Sequence, residues 1–352
     1  MKLINTVDAE GTVLCHDITQ IIKDVSKGPL FRKGHIVTKE DIPVLLSVGK
    51  DRLYVWEKEE GMLHENDAAE ILCSLCLGEG MERSQASEGK IELRALEDGL
   101  LKVNEGGMRA VNGFGQMMIA SRHGNFPVKA GNKLAGTRII PLVIEEEKMN
   151  AVKAVAMQAT GGEPILKLLA FQPRKAGIVT TGNEVFYGRI EDTFTPVLRE
   201  KLAEYDVPVI AHEIWNDDDT KVTQAILRMV EQGADIICCT GGMSVDPDDR
   251  TPLAIRNTGA RIVSYGAPVL PGAMFMLAYL EVTEGPDPRT VAILGLPGCV
   301  MYARRTIFDL VLPRVIAGDE VTAEELAALG QGGLCLNCPV CTFPNCGFGK
   351  GW

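Results

Sequence analysis

Three apolar runs, each followed at once by a glycine-containing turn, constrain this chain more than any other feature of its sequence. The runs cover residues 176–180, 236–239 and 291–294, and the turns read TGNE at 181–184, TGGMSVDPDD at 240–249 and GLPG at 295–298. Each run is typical of a short buried strand. Glycine lets the backbone approach a ligand and present its N–H groups. Because such loops gather at the carboxyl edge of an open parallel sheet, the sequence predicts one ligand-binding edge there.

Charge and composition exclude several classes of protein. The chain has 352 residues, a net charge of −11, 46% hydrophobic residues and 24% charged residues. This mix is typical of a soluble globular protein, and the negative charge argues against a general nucleic-acid or anionic-membrane binder. No signal-peptide core or bilayer-spanning run is present, so we expect a cytoplasmic protein. Its ten cysteines are then expected to be reduced thiols or metal ligands.

The pattern of apolar residues and glycines divides the chain into five segments. They are a mixed α/β segment at 1–80, a β-rich, barrel-like domain at 81–150, a linker at 151–172, an α/β domain at 173–318 and a cysteine-rich tail at 319–352. In the fourth segment strands alternate with helices. This predicts an α/β fold in which an open, mainly parallel sheet lies between two helix layers.

Local signals also predict individual elements. They are a strand at 13–18, a helix at 66–77 that buries Cys73 and Cys76, a helix opened by Thr195 as cap and Pro196, a helix from Thr220 capped by Asp217 or Asp218, and one closing helix at 300–316. Threonine and aspartate are favoured caps, and proline is favoured in the first turn. The five histidines form no spaced pair, so no catalytic role is assigned to them.

Carboxylates accompany two of the three glycine turns. Glu184 ends the first turn, and Asp246, Asp248 and Asp249 follow the glycines of the second. Mg²⁺ in proteins is usually held by one or two carboxylates together with ligand oxygens. These acids are therefore candidate ligands of a cation. The alternative is that one of them caps the next helix and the others are solvated loop acids.

The tail carries four cysteines within a dozen positions: Cys335, Cys338, Cys341 and Cys346. Zinc ribbons usually separate two cysteine pairs by a longer insert. Three cysteines spaced two residues apart, then a fourth, are closer to iron–sulfur spacing. An iron–sulfur cluster, zinc and metal-free thiols all remain open from the sequence.

Residues 173–318 resemble the molybdopterin-binding domain shared by the molybdopterin molybdotransferase (MoeA/gephyrin) family, its adenylyltransferase relatives and the CinA family. Six segments carry the resemblance in the same order, namely TTGNE at 180–184, IEDT at 190–193, NDD at 216–218, TGGMSVDPDD at 240–249, PG at 271–272 and GLPG at 295–298. Two departures stand out, because Ala273 replaces a lysine of the family pattern and Cys299 replaces an asparagine. With its cysteine tail, the chain looks like a distinct group beside the molybdotransferases.

The resemblance implies a ligand and a set of site residues. The ligand is molybdopterin or its adenylylated form, with molybdate and Mg²⁺. The acidic residues of the reaction centre would be Glu184, Asp218 and Asp249. The implied cofactor-binding residues are Thr181, Gly182, Asp192, Thr193, Thr240, Gly241, Gly242, Ser244, Asp246, Pro271, Gly272, Gly295, Pro297 and Gly298. A homodimer is also implied.

Two functions of different class follow from this comparison. The first is an enzyme of molybdenum cofactor biosynthesis that inserts molybdate in the manner of a molybdotransferase. The second is a non-catalytic carrier, chaperone or redox-linked maturation factor that delivers the cofactor to a molybdenum enzyme apoprotein. The replacement of the lysine by Ala273 favours the second. Pyridine-nucleotide hydrolysis, as in CinA relatives, is a weaker alternative.

Overall fold

A computed structural model of the chain describes residues 2–22, 26–55, 60–244, 246, 249–283 and 288–351. The chain forms two compact units. The first unit comprises Met1–Arg94, Asn104–Arg122 and Lys133–Leu166, and the second comprises Ala95–Val103, His123–Asn132 and Lys167–Trp352. Over these described ranges, no helix is long and apolar enough to cross a lipid bilayer.

The elements alternate irregularly at first and regularly after residue 175. The strands are β1 (Lys2–Asn5), β2 (Ile18–Ile22), β3 (Ser26–Phe31), β4 (Arg52–Val55), β5 (Met62–His64), β6 (Met81–Arg83), β7 (Lys90–Ala95), β8 (Gly99–Val103), β9 (Met117–Ser121), β10 (Phe126–Val128), β11 (Lys133–Ile139), β12 (Val143–Glu145), β13 (Leu166–Ala170), β14 (Ala176–Thr181), β15 (Val209–Trp215), β16 (Ile236–Thr240), β17 (Arg261–Tyr265), β18 (Met276–Val282) and β19 (Arg289–Leu296). The helices are α1 (Asp41–Ser47), α2 (Glu65–Ser74), α3 (Glu105–Asn112), α4 (Glu146–Thr160), α5 (Asn183–Phe186), α6 (Phe194–Ala203), α7 (Asp219–Glu231), α8 (Thr251–Asn257), α9 (Cys299–Tyr302), α10 (Ile307–Ala317) and α11 (Ala323–Ala328).

The first unit is built from small antiparallel sheets. The strand orders are β1-β4, β2-β3, β5-β12 and β6-β7-β11-β9. Helix α2 confirms the predicted helix but ends at Ser74, so Cys73 is buried in the helix and Cys76 is buried in the turn that follows it. The predicted strand at 13–18 is wrong. Val13 and Leu14 form only isolated bridges, and the carbonyl of Cys15 lies 2.6 Å from the side-chain Nε2 of His64, not in a strand ladder.

The second unit contains a six-stranded sheet that carries the ligand edge. Its strand order is β15-β14-β16-β19-β18-β17, in which the first four strands are parallel, β18 runs antiparallel to β19, and β17 runs antiparallel to β18. A separate sheet has the order β10-β8-β13. The protein is therefore a mixed α/β protein, and its larger sheet is parallel over four of six strands.

The six-stranded sheet has a hydrophobic cluster on each face. Alternate residues of β16 separate the two clusters, since Ile236 and Cys238 belong to one and Ile237 and Cys239 to the other. Side chains of α6 and α10 fill the first cluster, and side chains of α7 and α8 fill the second. Every residue of β14 and β16 is buried. Burial on both faces explains why these strands read as continuous apolar runs and do not alternate.

The helix predicted to begin at Pro196, with Thr195 as its cap, begins two residues earlier, at Phe194. The reason is Asp192, whose carboxylate accepts hydrogen bonds from the backbone N–H groups of Phe194 at 2.9 Å and Thr195 at 3.0 Å. The Thr195 hydroxyl is turned back to the same carboxylate at 2.6 Å. The prediction of Thr195 as the cap is therefore wrong. Asp218 does cap α7, since its side chain accepts from Lys221 N–H.

The closing helix predicted at 300–316 is also wrong, because it is broken into α9 and α10. Thr306 ends the break with a capping box, in which its hydroxyl accepts from Phe308 N–H and the Asp309 carboxylate accepts from Thr306 N–H. The carbonyl of Arg304, which lies in the break, accepts from the ammonium of Lys201 at 3.1 Å.

A buried ion pair fixes this break against α6. Lys201 Nζ lies 2.6 Å from Asp309 Oδ1, and the two side chains are 9% and 3% exposed. Arg305 contacts the same oxygen at 2.8 Å. Removing one partner of such a pair leaves an uncompensated buried charge, which costs far more than loss of a surface pair.

We expect Asp309→Asn to lower the free energy of unfolding by about 3 kcal/mol, because Lys201 and Arg305 would keep their charges without the buried carboxylate. The control is Glu204→Gln. Glu204 contacts the same Arg305 at 3.2 Å but is 45% exposed, so its loss should cost at most about 1 kcal/mol. Urea titration of both variants measures the difference, and equal losses would contradict the assignment.

Glu65 generates a prediction about pH. Burial raises the pKa of this carboxyl from its ordinary value of 4.5 to about 7. Between pH 4.5 and pH 7, Glu65 is ionised in the unfolded chain and protonated in the folded chain. The stability that protonated Glu65 contributes is therefore full below pH 4.5 and is lost as the pH rises through 7. Glu65→Gln should therefore change little near pH 4 and raise the free energy of unfolding by about 3 kcal/mol at pH 8. Glu82→Gln, which removes an exposed carboxylate, is the control for the loss of one charge. An equal increase in the free energy of unfolding of Glu65→Gln at pH 4 and at pH 8 would refute the prediction.

Candidate ligand-binding groove

Three parallel strands end at the same level of the sheet. Thr180 of β14 pairs with Thr240 of β16, and Thr240 pairs with Leu296 of β19. The turns that follow these strands therefore start side by side. This is the arrangement that the glycine turns predict, and it creates a shared edge for one ligand.

The three turns line a single groove of about 590 Å³. The segment between α5 and α6 and the helix α9 complete its walls. The predicted site residues that line it are Thr181, Glu184, Asp192, Thr193, Thr240, Gly241, Gly242, Ser244, Asp249, Pro297 and Gly298. The groove also contains side chains that sequence reasoning did not select, among them Met243, Met274 and Tyr302.

Other predicted site residues lie outside this lining. The carboxylate of Asp218 is occupied as the cap of α7. Gly272 packs against Ile307, where a Cβ would come within 2.5 Å of that side chain, and Pro271 accepts a hydrogen bond from Ile307 N–H. Gly182, Asp246 and Gly295 are likewise absent from the lining, and Asp248 lies outside the described residues.

Glycine is required where the second turn crosses the end of β14. Gly241 has φ +82°, and a Cβ there would lie 2.1 Å from the carbonyl oxygen of Thr181. Gly242 has φ +52°, and its Cβ would lie 2.9 Å from the hydroxyl of Thr251. Thr251 in turn donates to the Gly241 carbonyl at 2.9 Å. Two turns can therefore touch through their backbones only because no side chain lies between them.

A polar network supports the wall beside the groove. The hydroxyls of Thr180 and Thr195 each lie 3.1 Å from His212 Nε2, and both donate to the Asp192 carboxylate. Burial raises the pKa of Asp192, but the hydrogen bonds from Thr195, Phe194 and Thr180 outweigh burial and hold the pKa below its ordinary value. Burial lowers the pKa of His212, although nearby Asp192 opposes this shift.

Sequence reasoning missed the acid that fixes the first glycine turn. Asp217, not Asp218, accepts a hydrogen bond from the backbone N–H of Asn183 at 3.1 Å. This contact crosses from the end of β15 to the start of α5. The acidic run at 217–219 marks the place, but spacing alone does not show which carboxylate turns toward the neighbouring loop.

Thr240 lines the groove and carries a buried hydroxyl that has no hydrogen-bond partner among the described residues. The residue is 1% exposed. A buried polar group without a partner costs about 1–3 kcal/mol. Because Thr240 lines the groove, a ligand oxygen or nitrogen that reaches this hydroxyl would remove that cost.

The groove is acidic. Glu184, Glu191, Asp192 and Asp249 line it, and none of its described lining residues is lysine, arginine or histidine. Helix α5 begins directly at the first glycine turn but has only four residues. An anionic ligand therefore meets backbone N–H groups and carboxylates, with no side-chain cation to balance its charge.

The tail cysteines do not meet at a point. Over the ranges that the structure describes, no three histidine, cysteine, aspartate or glutamate side chains converge closely enough to hold one metal ion. All four tail cysteines are free thiols, with Cys338 and Cys341 exposed and Cys335 and Cys346 partly buried.

Comparison with known families bears on the groove directly. Residues 177–317 match a family described as a probable molybdopterin binding domain. Residues 3–57 match a family described as a domain of unknown function. The first match covers the whole six-stranded sheet and supports the domain family predicted from the six motifs. The finer placement beside the molybdotransferases stays a prediction.

Similar proteins match over part of the chain. A putative competence-damage inducible protein of Bacillus subtilis is 34% identical over 89 residues, which are 25% of this chain and 21% of that protein. A CinA-like protein of Mycobacterium tuberculosis is 36% identical over 90 residues, again 25% of this chain and 21% of that protein. The chain thus spans about a fifth of the length of these relatives. Among solved structures, the tungsten cofactor synthesizing protein MoaB from Pyrococcus furiosus is 19% identical, with 43% of this chain and all of that chain covered at a TM-score of 0.35.

We expect Gly241→Ala to disrupt the groove because the new methyl group would collide with Thr181 in a left-handed backbone. The matched control is Gly188→Ala, which has φ +69° but nothing within 4 Å of the new Cβ. The control should cost about 1–2 kcal/mol from backbone strain alone. Gly241→Ala should cost about 1–3 kcal/mol more from overpacking. Urea titration measures both, and equal costs would show that the close approach is not a constraint.

Proposed function

We propose that the groove binds a phosphorylated pterin, molybdopterin or its adenylylated form, as part of molybdenum cofactor biosynthesis. The observation that carries the proposal is the shared lining of one cavity by three in-register glycine turns, together with the unpartnered hydroxyl of Thr240. The match of residues 177–317 to a probable molybdopterin binding domain supports the class of ligand. The volume of about 590 Å³ lies in the range of small-molecule sites.

The acidity of the groove supports a requirement for a divalent cation. Phosphate approaching four carboxylates is repelled unless a cation lies between them, because the lining holds no positive side chain. Mg²⁺ is commonly held by one or two carboxylates plus ligand phosphates. Glu184 and Asp249 are the exposed or half-exposed acids of the first two turns, so their chemistry fits such an ion. Asp192 fits less well because its oxygens already accept four hydrogen bonds.

The reaction we propose is a molybdotransferase-like insertion of molybdate, with Glu184 and Asp249 at the reaction centre. Asp218 has a weaker claim because its carboxylate caps α7 and does not line the groove. The alternative is a carrier that holds the cofactor for a molybdenum enzyme apoprotein. Ala273, at the position of the family's lysine, favours the carrier because it removes one fixed cation. A homodimer is part of the same proposal.

We expect binding of molybdopterin to depend on Mg²⁺, since the cation offsets the repulsion between ligand phosphate and groove carboxylates. Removing Mg²⁺ with a chelator should weaken binding about tenfold or more, which corresponds to about 1.4 kcal/mol. Fluorescence titration of the full chain at fixed ionic strength measures the change. Binding that is indifferent to Mg²⁺ would contradict the proposed cation.

Two variants and a control sharpen this experiment. Glu184→Gln and Asp249→Asn should each reduce the effect of Mg²⁺, whereas Glu200→Gln, on the exposed face of α6, should leave it unchanged. Release of AMP from adenylylated molybdopterin in the presence of molybdate distinguishes the two functions. AMP release that is lost in Asp249→Asn supports the transferase, and tight binding without AMP release supports the carrier.

A further inference from the structure

A second cavity, in the same unit as the groove, is bordered by all four tail cysteines. Its volume is about 250 Å³. The other walls include Arg304, Arg305, Phe343 and Phe348. Its lining shares no residue with the groove. All four tail cysteines, which belong to one short segment, thus line a single cavity.

The tail is held in place around this cavity by contacts at both ends. The N–H of Cys335 donates to the carbonyl of Leu270 at 2.8 Å. At the other end Phe348 is buried in the core of the unit, and a Cβ on Gly349 would lie 2.3 Å from Leu310. Between them, Arg304 donates to the carbonyl of Pro339 at 2.9 Å. The segment is therefore anchored to the core and is not a loose extension.

The charge around the cavity suits an anionic group. The whole chain carries a net charge of −11, yet residues 326–352 contain no aspartate or glutamate. The charged side chains in the lining of the cavity are Arg304 and Arg305. Arg305 lies 5.1 Å from the centre of the Phe343 ring and also contacts Asp309 at 2.8 Å and Glu204 at 3.2 Å. Thiolate ligands accumulate negative charge when they bind a metal, and nearby guanidinium groups offset it.

The spacing of the four cysteines along the chain is closer to that of iron–sulfur proteins than to that of zinc ribbons. A single zinc ion draws four sulfurs to about 2.3 Å from one centre. Here the thiols border a cavity and no three of the described acidic, histidine or cysteine side chains converge on one point. An iron–sulfur cluster has several metal atoms, each bound by a different cysteine, so its ligands surround a volume. The irregular backbone between Cys335 and Cys346, which contains no helix or strand, allows each thiol to turn inward.

We propose that the four tail cysteines ligate an iron–sulfur cluster in this cavity. The three closely spaced cysteines and the fourth after four further residues supply the thiolates, and the two arginines lie beside them. Phe343 and Phe348 form the apolar side of the site. The proposal does not depend on which ligand occupies the groove.

The test uses the full chain, purified without oxygen and incubated with ferrous iron, sulfide and a thiol reductant. We expect about two to four iron atoms per chain, an equal amount of acid-labile sulfide and a broad visible absorption band. Zinc bound without iron or sulfide would overturn the proposal. The proposal would also be overturned if the reconstituted protein bound no more iron than its variants with serine in place of the tail cysteines.

Variants locate the cluster. Serine substitutions of Cys335, Cys338, Cys341 and Cys346, made singly, should each lower bound iron at least twofold. Cys73→Ala, which removes a buried thiol of the first unit, should retain the iron. Far-ultraviolet circular dichroism of each variant shows whether it is folded, so that lost iron is read only from folded protein. Full iron binding by all four folded serine variants would refute the site.

Discussion

The register of three parallel strands is the constraint on which the site depends. Because Thr180, Thr240 and Leu296 lie side by side, the turns that follow them begin at one level of the sheet. Burial on both faces holds that register, since β14 and β16 expose no residue to solvent. A shift of one residue in a strand moves every side chain to the other face. The groove is therefore a consequence of the core beneath it.

Local sequence signals predicted the features that depend on interactions between residues close together in the chain. Continuous apolar runs marked the buried strands, and glycine marked the turns where a side chain would collide with a neighbouring backbone. The aspartate before α7 was also predictable, because capping acts within one turn of a helix. These features account for the ligand edge, the parallel strands of the larger sheet and part of the groove lining.

The features that sequence reasoning missed depend on partners far away in the chain. Lys201 and Asp309 are separated by 108 positions, and their ion pair accompanies the break that divides the closing helix. The contact between Asp217 and the first glycine turn also joins two segments that no local pattern relates. The strand predicted at 13–18 failed for the same reason, since the carbonyl of Cys15 lies 2.6 Å from the side chain of His64, at the end of β5. Each error arose where tertiary contacts decide between two locally acceptable conformations.

The placement of Asp192 has a consequence for how the groove discriminates between ligands. Four donors already saturate its two oxygens, so the carboxylate stays charged and its rotamer is locked. Because its side chain is held in this way, the Asp192 carboxylate is not free to turn toward a bound cation. Its negative charge still contributes to the electrostatic potential in the groove. The carboxylate therefore places a fixed negative charge in this wall of the groove. A fixed negative charge on this wall disfavours the approach of an oxyanion to it.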